Sequence, residues 1–444
     1  MIESILNDTV ELLPVADESP FESSVDYAEE LKKRDVSTKK WRNLESEEKT
    51  KHGNAIENYL RSEGAVDLKS VDAHRGKNLY LLRNEIAAHV KDESPFKLLS
   101  VEELHFSSSL IELLENAENA EHIRDLYKLR KRTVGTTKNA GINASEAQRL
   151  KNCMRQGREL YLSGRTGSLM VKPLNFFYSL TAYAYAVVIL NNPVRYVLDG
   201  LPGSHGLNYL PNDIKAQFGG DIKQGTFSDL FTSFPTSTIR DRKAAISQDN
   251  EKSILAFYKT RTTVSTGTLL SMVPEIREYY SLVTGRPSRT FPLEITTVND
   301  PRSVKWELQI GDGETRPSPA DIENAFGSFQ HCERHGKTIV TIPFSEAHKA
   351  RATIYSDIRG RFWYVENPFF PIVLPELCIH FLLTNAFSNI MRYSPDHWGD
   401  ILLNQVRSDI SLITRKYLSA FENKLPVLLL RSLSKFYPYV SSES

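Results

Sequence analysis

Cysteine and net charge are both scarce in this chain. Its three cysteines, Cys153, Cys332 and Cys378, are too few and too scattered among 444 residues for a disulfide framework. The 55 basic side chains are balanced by 55 acidic ones, which argues against a polyanion binder, although a local basic patch remains open. Hydrophobic residues make up 40% and charged residues 25%, which excludes collagen-like, coiled-coil and wholly disordered proteins.

Motifs of several well-known enzyme classes are missing as well. The chain has no Walker A run, no Gly-x-Gly-x-x-Gly and no Gly-x-Ser-x-Gly, so nucleotide-driven, dinucleotide and common esterase chemistries lack support. The run His331-Cys-Glu-Arg-His335 has metal-binding residue types, but a structural zinc site needs four ligands and no second pair exists. Asp300, Glu307 and Gln309 resemble a metal-dependent nuclease core only faintly, because its usual lysine is missing. We predict no metal and no cofactor.

One uncharged stretch, from Pro173 to Leu190, is about long enough to cross a bilayer. It contains Asn175 and three tyrosines, and no other stretch in the chain could supply a second span. We therefore predict a buried helix in a soluble core and no membrane association. The first residues lack the basic and long apolar regions of a signal peptide, so the expected compartment is the cytoplasm.

Hydrophobic periodicity predicts helices over most of the chain. Residues 1–20 are acidic and irregular and are expected to form a loose arm. Apolar residues at three- and four-residue steps then predict a helical bundle over 21–120, in which Ser100 and Glu103 resemble a capping box. Further helices are expected within 144–191, 265–283 and 372–437, the last of them opening at Pro426. Residues 201–249 are predicted to be mostly loop with short strands.

A different pattern begins near Arg286. From about 286 to 368, alternating β-branched and aromatic residues predict four to six strands in one antiparallel sheet. Within it, Ser318 followed by Pro319 predicts a short helix that ends near Phe326. The expected fold class is therefore mainly α with an antiparallel β insert, an α+β protein.

Five short segments resemble one family in the same order along the chain. They are the helix Asn152–Gly164, the entry Lys172–Tyr178, the loops Ser204–Leu207 and Gln224–Phe227, and the C-terminal run Asn389–Trp398. Together they resemble the YaaC-like bacterial proteins, whose C-terminal motif is Arg-Tyr-x-Pro-x-x-Trp. The resemblance implies a cytosolic helical core over about 121–444, with 21–120 as an additional domain. It implies no activity. The residues of the C-terminal motif are also consistent with a purely structural role, in which Arg392 lies at the end of a helix and Trp398 is buried.

The N-terminal bundle contains a second, shorter resemblance. The run Arg83-Asn84-Glu-Ile-Ala-Ala-His89 separates Arg83 from His89 by about 1.7 helical turns, and a loosened first turn would bring both to one edge. The run resembles the Arg-x(4–6)-His motif of HEPN domains, in which a polar residue usually follows the arginine. That resemblance implies a metal-independent ribonuclease site shared by two protomers. The arginine would hold the scissile phosphate and the histidine would transfer the proton.

Two other interpretations of this run stay open. Arg83 could pair with Glu85 or Asp92 while His89 lies at a helix C-terminus, or the residues could bind a ligand. We therefore expect a cytosolic binding or regulatory protein that acts through contact with a protein partner or with itself, as a homodimer. A role in antiviral defence is suggested by family association alone. The alternative is a dimeric HEPN-type ribonuclease that acts on RNA through the catalytic residues Arg83, Asn84 and His89.

Overall fold

A computed structural model of the chain describes residues 8–14, 97–133, 142–191, 203–211, 214–234, 238–240, 245–247, 251–300, 303–343, 354–403, 408–434 and 436–441. The residues predicted to be catalytic, Arg83, Asn84 and His89, lie outside these ranges. Most of the bundle predicted for 21–120 also lies outside them, apart from 97–120.

Helices dominate the described residues. In chain order they are α1 (Phe106–Ala117), α2 (Ala120–Thr133), α3 (Ala144–Thr166), α4 (Lys172–Asn191), α5 (Thr226–Thr232), α6 (Glu251–Lys259), α7 (Thr266–Ser271), α8 (Arg277–Thr284), α9 (Pro319–Phe326), α10 (Glu376–Tyr393), α11 (Pro395–Leu402) and α12 (Ser408–Leu433).

The strands form four sheets within the same described residues. In chain order they are β1 (Val10–Pro14), β2 (Lys97–Glu102), β3 (Asn208–Leu210), β4 (Lys215–Phe218), β5 (Thr238–Arg240), β6 (Ala245–Ser247), β7 (Thr260–Ser265), β8 (Thr290–Asp300), β9 (Ser303–Ile310), β10 (Gln330–Arg334), β11 (Lys337–Pro343), β12 (Ile354–Ser356), β13 (Phe362–Val365) and β14 (Phe436–Ser441).

The predicted β insert is confirmed as one antiparallel sheet. Its six strands lie in the order β10-β11-β9-β8-β13-β12, and every neighbouring pair is antiparallel. The inward-facing residues Trp306, Leu308 and Ile310 alternate along β9 and pack in a separate small core with α9. Helix α9 begins as predicted, because the Ser318 side chain accepts a hydrogen bond from the Asp321 backbone N–H and Pro319 is its first residue.

The helices α3 and α4 pack closely at a glycine. In α3, Gly157 contacts the ring of Tyr183 in α4 so closely that an added Cβ would lie 2.5 Å from that ring. The hydroxyl of Ser179 in α4 donates to the Gly157 carbonyl at 2.6 Å. The helix Lys172–Leu190 is the one described helix long and apolar enough to cross a membrane, and 78% of its most apolar part is buried in the protein. It is a core helix, as the sequence predicts.

Two strands join the ends of the described chain to this body. The 1–20 segment was predicted to be a loose arm, but β1 pairs antiparallel with β7, and Asp8 accepts a 2.7 Å hydrogen bond from Arg289. Strand β2 pairs parallel with β14. The predicted helix start at Ser100 is therefore wrong: Ser100 lies in a strand whose partner comes from the C-terminal end of the described chain, and α1 begins at Phe106 after a short 3-10 turn.

Two predictions about prolines in the helical blocks also need correction. The helix expected over 265–283 is two short helices, α7 and α8, because Pro274 starts a 3-10 turn between them. Conversely, Pro426 does not open a new helix but lies inside α12. Its missing N–H would leave the Glu422 carbonyl without a helical partner, and the Tyr161 hydroxyl donates to that carbonyl at 2.9 Å instead.

Part of the segment predicted to be loop is regular. The predicted short strands are present: β3 pairs antiparallel with β4, and β4 joins β7 in a sheet of order β1-β7-β4-β3. Helix α5 follows at Thr226, and all of its residues are buried. These short elements carry the two loops that lead to the candidate site.

Candidate functional site

Four of the five segments that carry the family resemblance meet in space near the C-terminal end of α10. The ring of His205 lies 4.9 Å from the ring of Phe177 and 6.4 Å from that of Tyr178, both in α4. Nη1 of Arg392, at the end of α10, donates to the Tyr178 hydroxyl at 3.4 Å. We call Tyr178, His205, Asn389 and Arg392 the Arg392 site. Residues more than 200 positions apart in the chain therefore form one polar cluster.

Two loops hold His205 in place through their backbones. The Thr226 N–H donates to the Ser204 carbonyl at 2.8 Å, and the Phe227 N–H donates to the His205 carbonyl at 2.9 Å. The loops cross where Gly206 meets Gly225, and a Cβ on Gly225 would lie 2.1 Å from the Gly206 nitrogen. Gly206 also has a φ of 69°, which favours glycine. Glycine is required at both positions because the two backbones touch.

The imidazole of His205 is partly buried and neutral in character. Burial lowers its pKa below the ordinary value, and the positive charge of Arg392 lowers it further. Its Nδ1 is buried and has no hydrogen-bond partner among the described residues. The ring therefore lies beside a cation and two aromatic rings, with its Nδ1 closed off from solvent.

Arg392 is held by a polar stripe on α10. Asn385, Asn389 and Arg392 follow each other at steps of four and three residues, so they share one helix face. The Asn389 Nδ2 donates to Oδ1 of Asn385 at 3.0 Å, and Oδ1 of Asn389 accepts from Nη2 of Arg392 at 2.9 Å. Asn385 and Asn389 are buried. The stripe orients the guanidinium.

All hydrogen-bond acceptors around Arg392 are neutral. They are the Ser388 carbonyl, the Asn389 amide oxygen and the Tyr178 hydroxyl, at 3.4, 2.9 and 3.4 Å. Among the described residues, no carboxylate forms an ion pair with this side chain. Within the described ranges the guanidinium is thus fixed in direction but not neutralised, and its remaining N–H groups suit a carboxylate or a phosphate, which it can bind through two parallel hydrogen bonds.

Exposed apolar side chains lie on the segments next to the site in the chain, just before α4 and at the end of α10. We call Leu169, Met170, Val171 and Tyr393 the apolar rim; each of them is at least 36% exposed. The rim segment is anchored, because Nε1 of the buried Trp398 donates to the Met170 carbonyl at 3.0 Å. The Arg392 guanidinium lies 5.0 Å from the centre of the Tyr393 ring. The cation is therefore bordered by aromatic surface.

The other residues considered from the sequence do not assemble into a site. In the part of the chain that the structure describes, no group of three or more His, Cys, Asp or Glu side chains is placed to hold a metal ion. His331 lies on the exposed strand β10, where its Nδ1 contacts the Phe329 carbonyl at 3.3 Å. Glu307 accepts a hydrogen bond from Gln309 at 2.8 Å. Arg83, Asn84 and His89 lie outside the described residues, so their predicted role stays a prediction.

The sequence contains a partial signal for this site. His205, Tyr178 and Arg392 stand in the motifs of the family resemblance, but the motifs alone do not indicate that they meet. Asn385 was missed. The polar spacing Asn385, Asn389, Arg392 inside an otherwise apolar helix could have indicated a functional face, because buried asparagines need partners. The apolar rim has no comparable signal, because its exposure is visible only in three dimensions.

Comparisons with known proteins identify one family. A family model described as YaaC-like Protein matches residues 112–433, which is more than half of the chain and includes every residue of the Arg392 site. The match begins within α1, nine residues before the start that the resemblance suggested. No curated protein and no solved structure matches the chain. The comparisons do not show a HEPN relationship.

Proposed function

The chain belongs to the YaaC-like family, and we propose that it is a binding protein whose Arg392 site takes up an anionic group, either a carboxylate or a phosphate. The observation that carries the proposal is the state of Arg392. Its guanidinium is oriented by three neutral acceptors and has no carboxylate partner among the described residues. A cation held in this way can form charge-assisted hydrogen bonds with an incoming anion.

The neighbours of Arg392 support anion binding. The Tyr178 hydroxyl accepts from Arg392, so its own proton is available to an incoming oxygen. A bound anion would also offset the positive charge of Arg392, which lowers the pKa of the neighbouring His205. An anion at this position would therefore meet donors from two separate segments, the Arg392 guanidinium and the Tyr178 hydroxyl.

Binding is favoured over catalysis by what surrounds the histidine. A general base is normally oriented by a carboxylate or a similar group at its second nitrogen. The charged group that influences His205 is Arg392, a cation, and Nδ1 has no partner among the described residues. We therefore retain the role expected from the sequence, a binding or regulatory protein that acts through protein contact. The ribonuclease alternative depends on Arg83, Asn84 and His89 and is tested separately in the Discussion.

Titration calorimetry with sodium phosphate and sodium acetate tests the proposal. Wild type should bind at least one of the two anions, and Arg392→Gln should weaken that binding about tenfold or more, because a hydrogen bond to a charged group is worth about 1.5–3 kcal/mol. Tyr178→Phe removes one donor and should weaken binding about threefold to tenfold. The control is Arg155→Gln, an exposed arginine on α3. Equal affinities for wild type and Arg392→Gln would refute the proposal.

A further inference from the structure

The Arg392 guanidinium contacts two partly exposed tyrosines, Tyr178 and Tyr393. We infer that its anion is a carboxylate carried by a peptide segment of a partner protein, with apolar side chains on either side of it. The inference rests on the proposed function of the site and adds the class of ligand. It is carried by the apolar rim, by the composition of the surface and by its dimensions.

Exposed apolar surface is concentrated at this position. Among the described residues, ten large hydrophobic side chains are at least 36% exposed. Two of them, Tyr178 and Tyr393, contact the Arg392 guanidinium, and three more, Leu169, Met170 and Val171, are consecutive residues just before α4, where the Met170 carbonyl accepts from Trp398 of α11. Single exposed apolar residues need no explanation, whereas a cluster around an unneutralised cation is typical of an interaction surface.

The residue types at this surface are those found at protein interfaces. Tyrosine, methionine and arginine are enriched in the buried centres of interfaces, and tyrosine and arginine contribute much of the binding free energy there. Tyr178, Tyr393, Met170 and Arg392 match that composition. A site for a free inorganic ion would need no apolar border, because the ion has no apolar part to cover.

The dimensions fit a short extended peptide. Val171, Asn175 and Tyr178 lie on one face of the helical turns at the start of α4, since the Asn175 N–H bonds to the Val171 carbonyl and the steps are four and three residues. At about 1.5 Å per residue, Val171 and Tyr178 are roughly 10 Å apart along the helix axis. An extended chain covers that length in about three residues, at about 3.3 Å each.

The surface is also held rigid before binding. The Trp398 indole fixes the Met170 carbonyl, and the N–H groups of Gly167 and Lys172 bond to the carbonyls of Ser163 and Ser168 at 2.9 and 3.1 Å. A preformed surface loses little conformational entropy on binding.

An array of short peptides tests the inference. Each peptide carries one central Asp or Glu between varied aliphatic and aromatic residues, and its matched partner carries Asn or Gln instead. Wild type should bind a subset of the acidic peptides at least tenfold more tightly than their amide partners and more tightly than acetate. The double variant Met170→Ser/Val171→Ser should lose that binding at least tenfold while phosphate or acetate binding stays unchanged. Leu282→Ser, at an isolated exposed leucine of α8, is the matched control.

The outcomes separate this inference from the proposed function. If phosphate or acetate binds through Arg392 but no peptide binds more tightly than the free anion, the peptide inference is wrong and the anion site stands. If neither anion binding nor peptide binding depends on Arg392, the proposed function and the peptide inference are both wrong. A third arm uses vesicles of phosphatidylcholine and phosphatidylserine. Rim-dependent binding to these vesicles, without peptide binding, would identify a membrane surface and overturn the inference.

Discussion

At the scale of single residues, one buried lysine connects three parts of the molecule. Nζ of Lys424 in α12 lies 2.7 Å from a carboxylate oxygen of Glu275 and 2.7 Å from one of Glu376, and it donates to the Ser356 carbonyl. Its side chain is 1% exposed. Burial alone would lower the pKa of Lys424, but the two carboxylates raise it, so the lysine stays charged. The charge of Lys424 therefore attracts Glu275 and Glu376 in a place where water does not screen the interaction.

Removing that lysine should therefore be costly. Lys424→Met leaves two carboxylates buried without their cation, and breaking a buried ion pair in this way typically costs about 3–5 kcal/mol. We expect a clearly lower midpoint of urea unfolding. Lys223→Met, at an exposed lysine, is the control and should change stability by less than about 0.5 kcal/mol. Similar midpoints for the two variants would show that the cluster does not stabilise the fold.

A buried carboxyl in the β insert should make stability depend on pH. Burial raises the pKa of Asp321 from its ordinary value of 3.8 to about 6, although hydrogen bonds from Tyr364 and Asn367 lower it in part. The folded state therefore favours the protonated form. The resulting stabilisation is complete below about pH 4 and is lost as the pH rises through about 6.

This dependence can be isolated with one substitution. In Asp321→Asn the group no longer titrates. Relative to the variant, wild type should therefore lose about 2 kcal/mol of unfolding free energy as the pH rises from 4 to 7. Urea unfolding at several pH values measures the shift. A difference that stays constant with pH would show that Asp321 titrates normally in the folded protein.

At the scale of elements, helix α12 continues through a proline because another helix supplies the missing hydrogen bond. Tyr161, in α3, is 2% exposed and donates to the Glu422 carbonyl at 2.9 Å. Tyr161→Phe leaves that carbonyl without a partner, which should cost about 1–3 kcal/mol of unfolding free energy. Tyr279→Phe, whose hydroxyl forms no described hydrogen bond, is the matched control.

A double-mutant cycle makes this explanation specific. In a Pro426→Ala background the helix regains a backbone N–H at position 426, which can bond to the Glu422 carbonyl. Tyr161→Phe should then cost at least about 1 kcal/mol less than it does beside Pro426. Equal costs in the two backgrounds would mean that Tyr161 stabilises the protein through packing alone.

At the scale of the whole molecule, the binding proposal and the ribonuclease alternative predict different results in one assay. The assay follows cleavage of single-stranded RNA by wild type, His89→Ala and Arg83→Ala with a chelator present. If the protein is a ribonuclease, each variant should lose about a hundredfold or more of the activity while thermal stability stays near wild type. If the chain is a binding protein, no cleavage is expected from any of the three. Metal-independent cleavage that requires His89 would replace our proposal.

The local patterns were sufficient for most elements. The alternating residues of 290–365 predicted the antiparallel sheet, because a period of two places every second side chain on one face. The Ser318-Pro319 start of α9 and the apolar helix α4 were also correct, since caps and periodicity act between residues close in sequence. Trp398 was expected to be buried, and it is fully buried beside Phe387 of α10.

The remaining features were decided by partners far away in the chain. Ser100 carries a helix-start pattern, but pairing with β14 holds it in a strand. Pro426 normally ends a helix, but the Tyr161 hydroxyl allows α12 to continue. The Arg392 site depends on the contact of Arg392 with Tyr178, 214 residues apart, and on two glycine loops that touch. Local sequence determines the propensity of each segment, whereas buried hydrogen bonds and charges need specific partners that only the folded chain brings within reach.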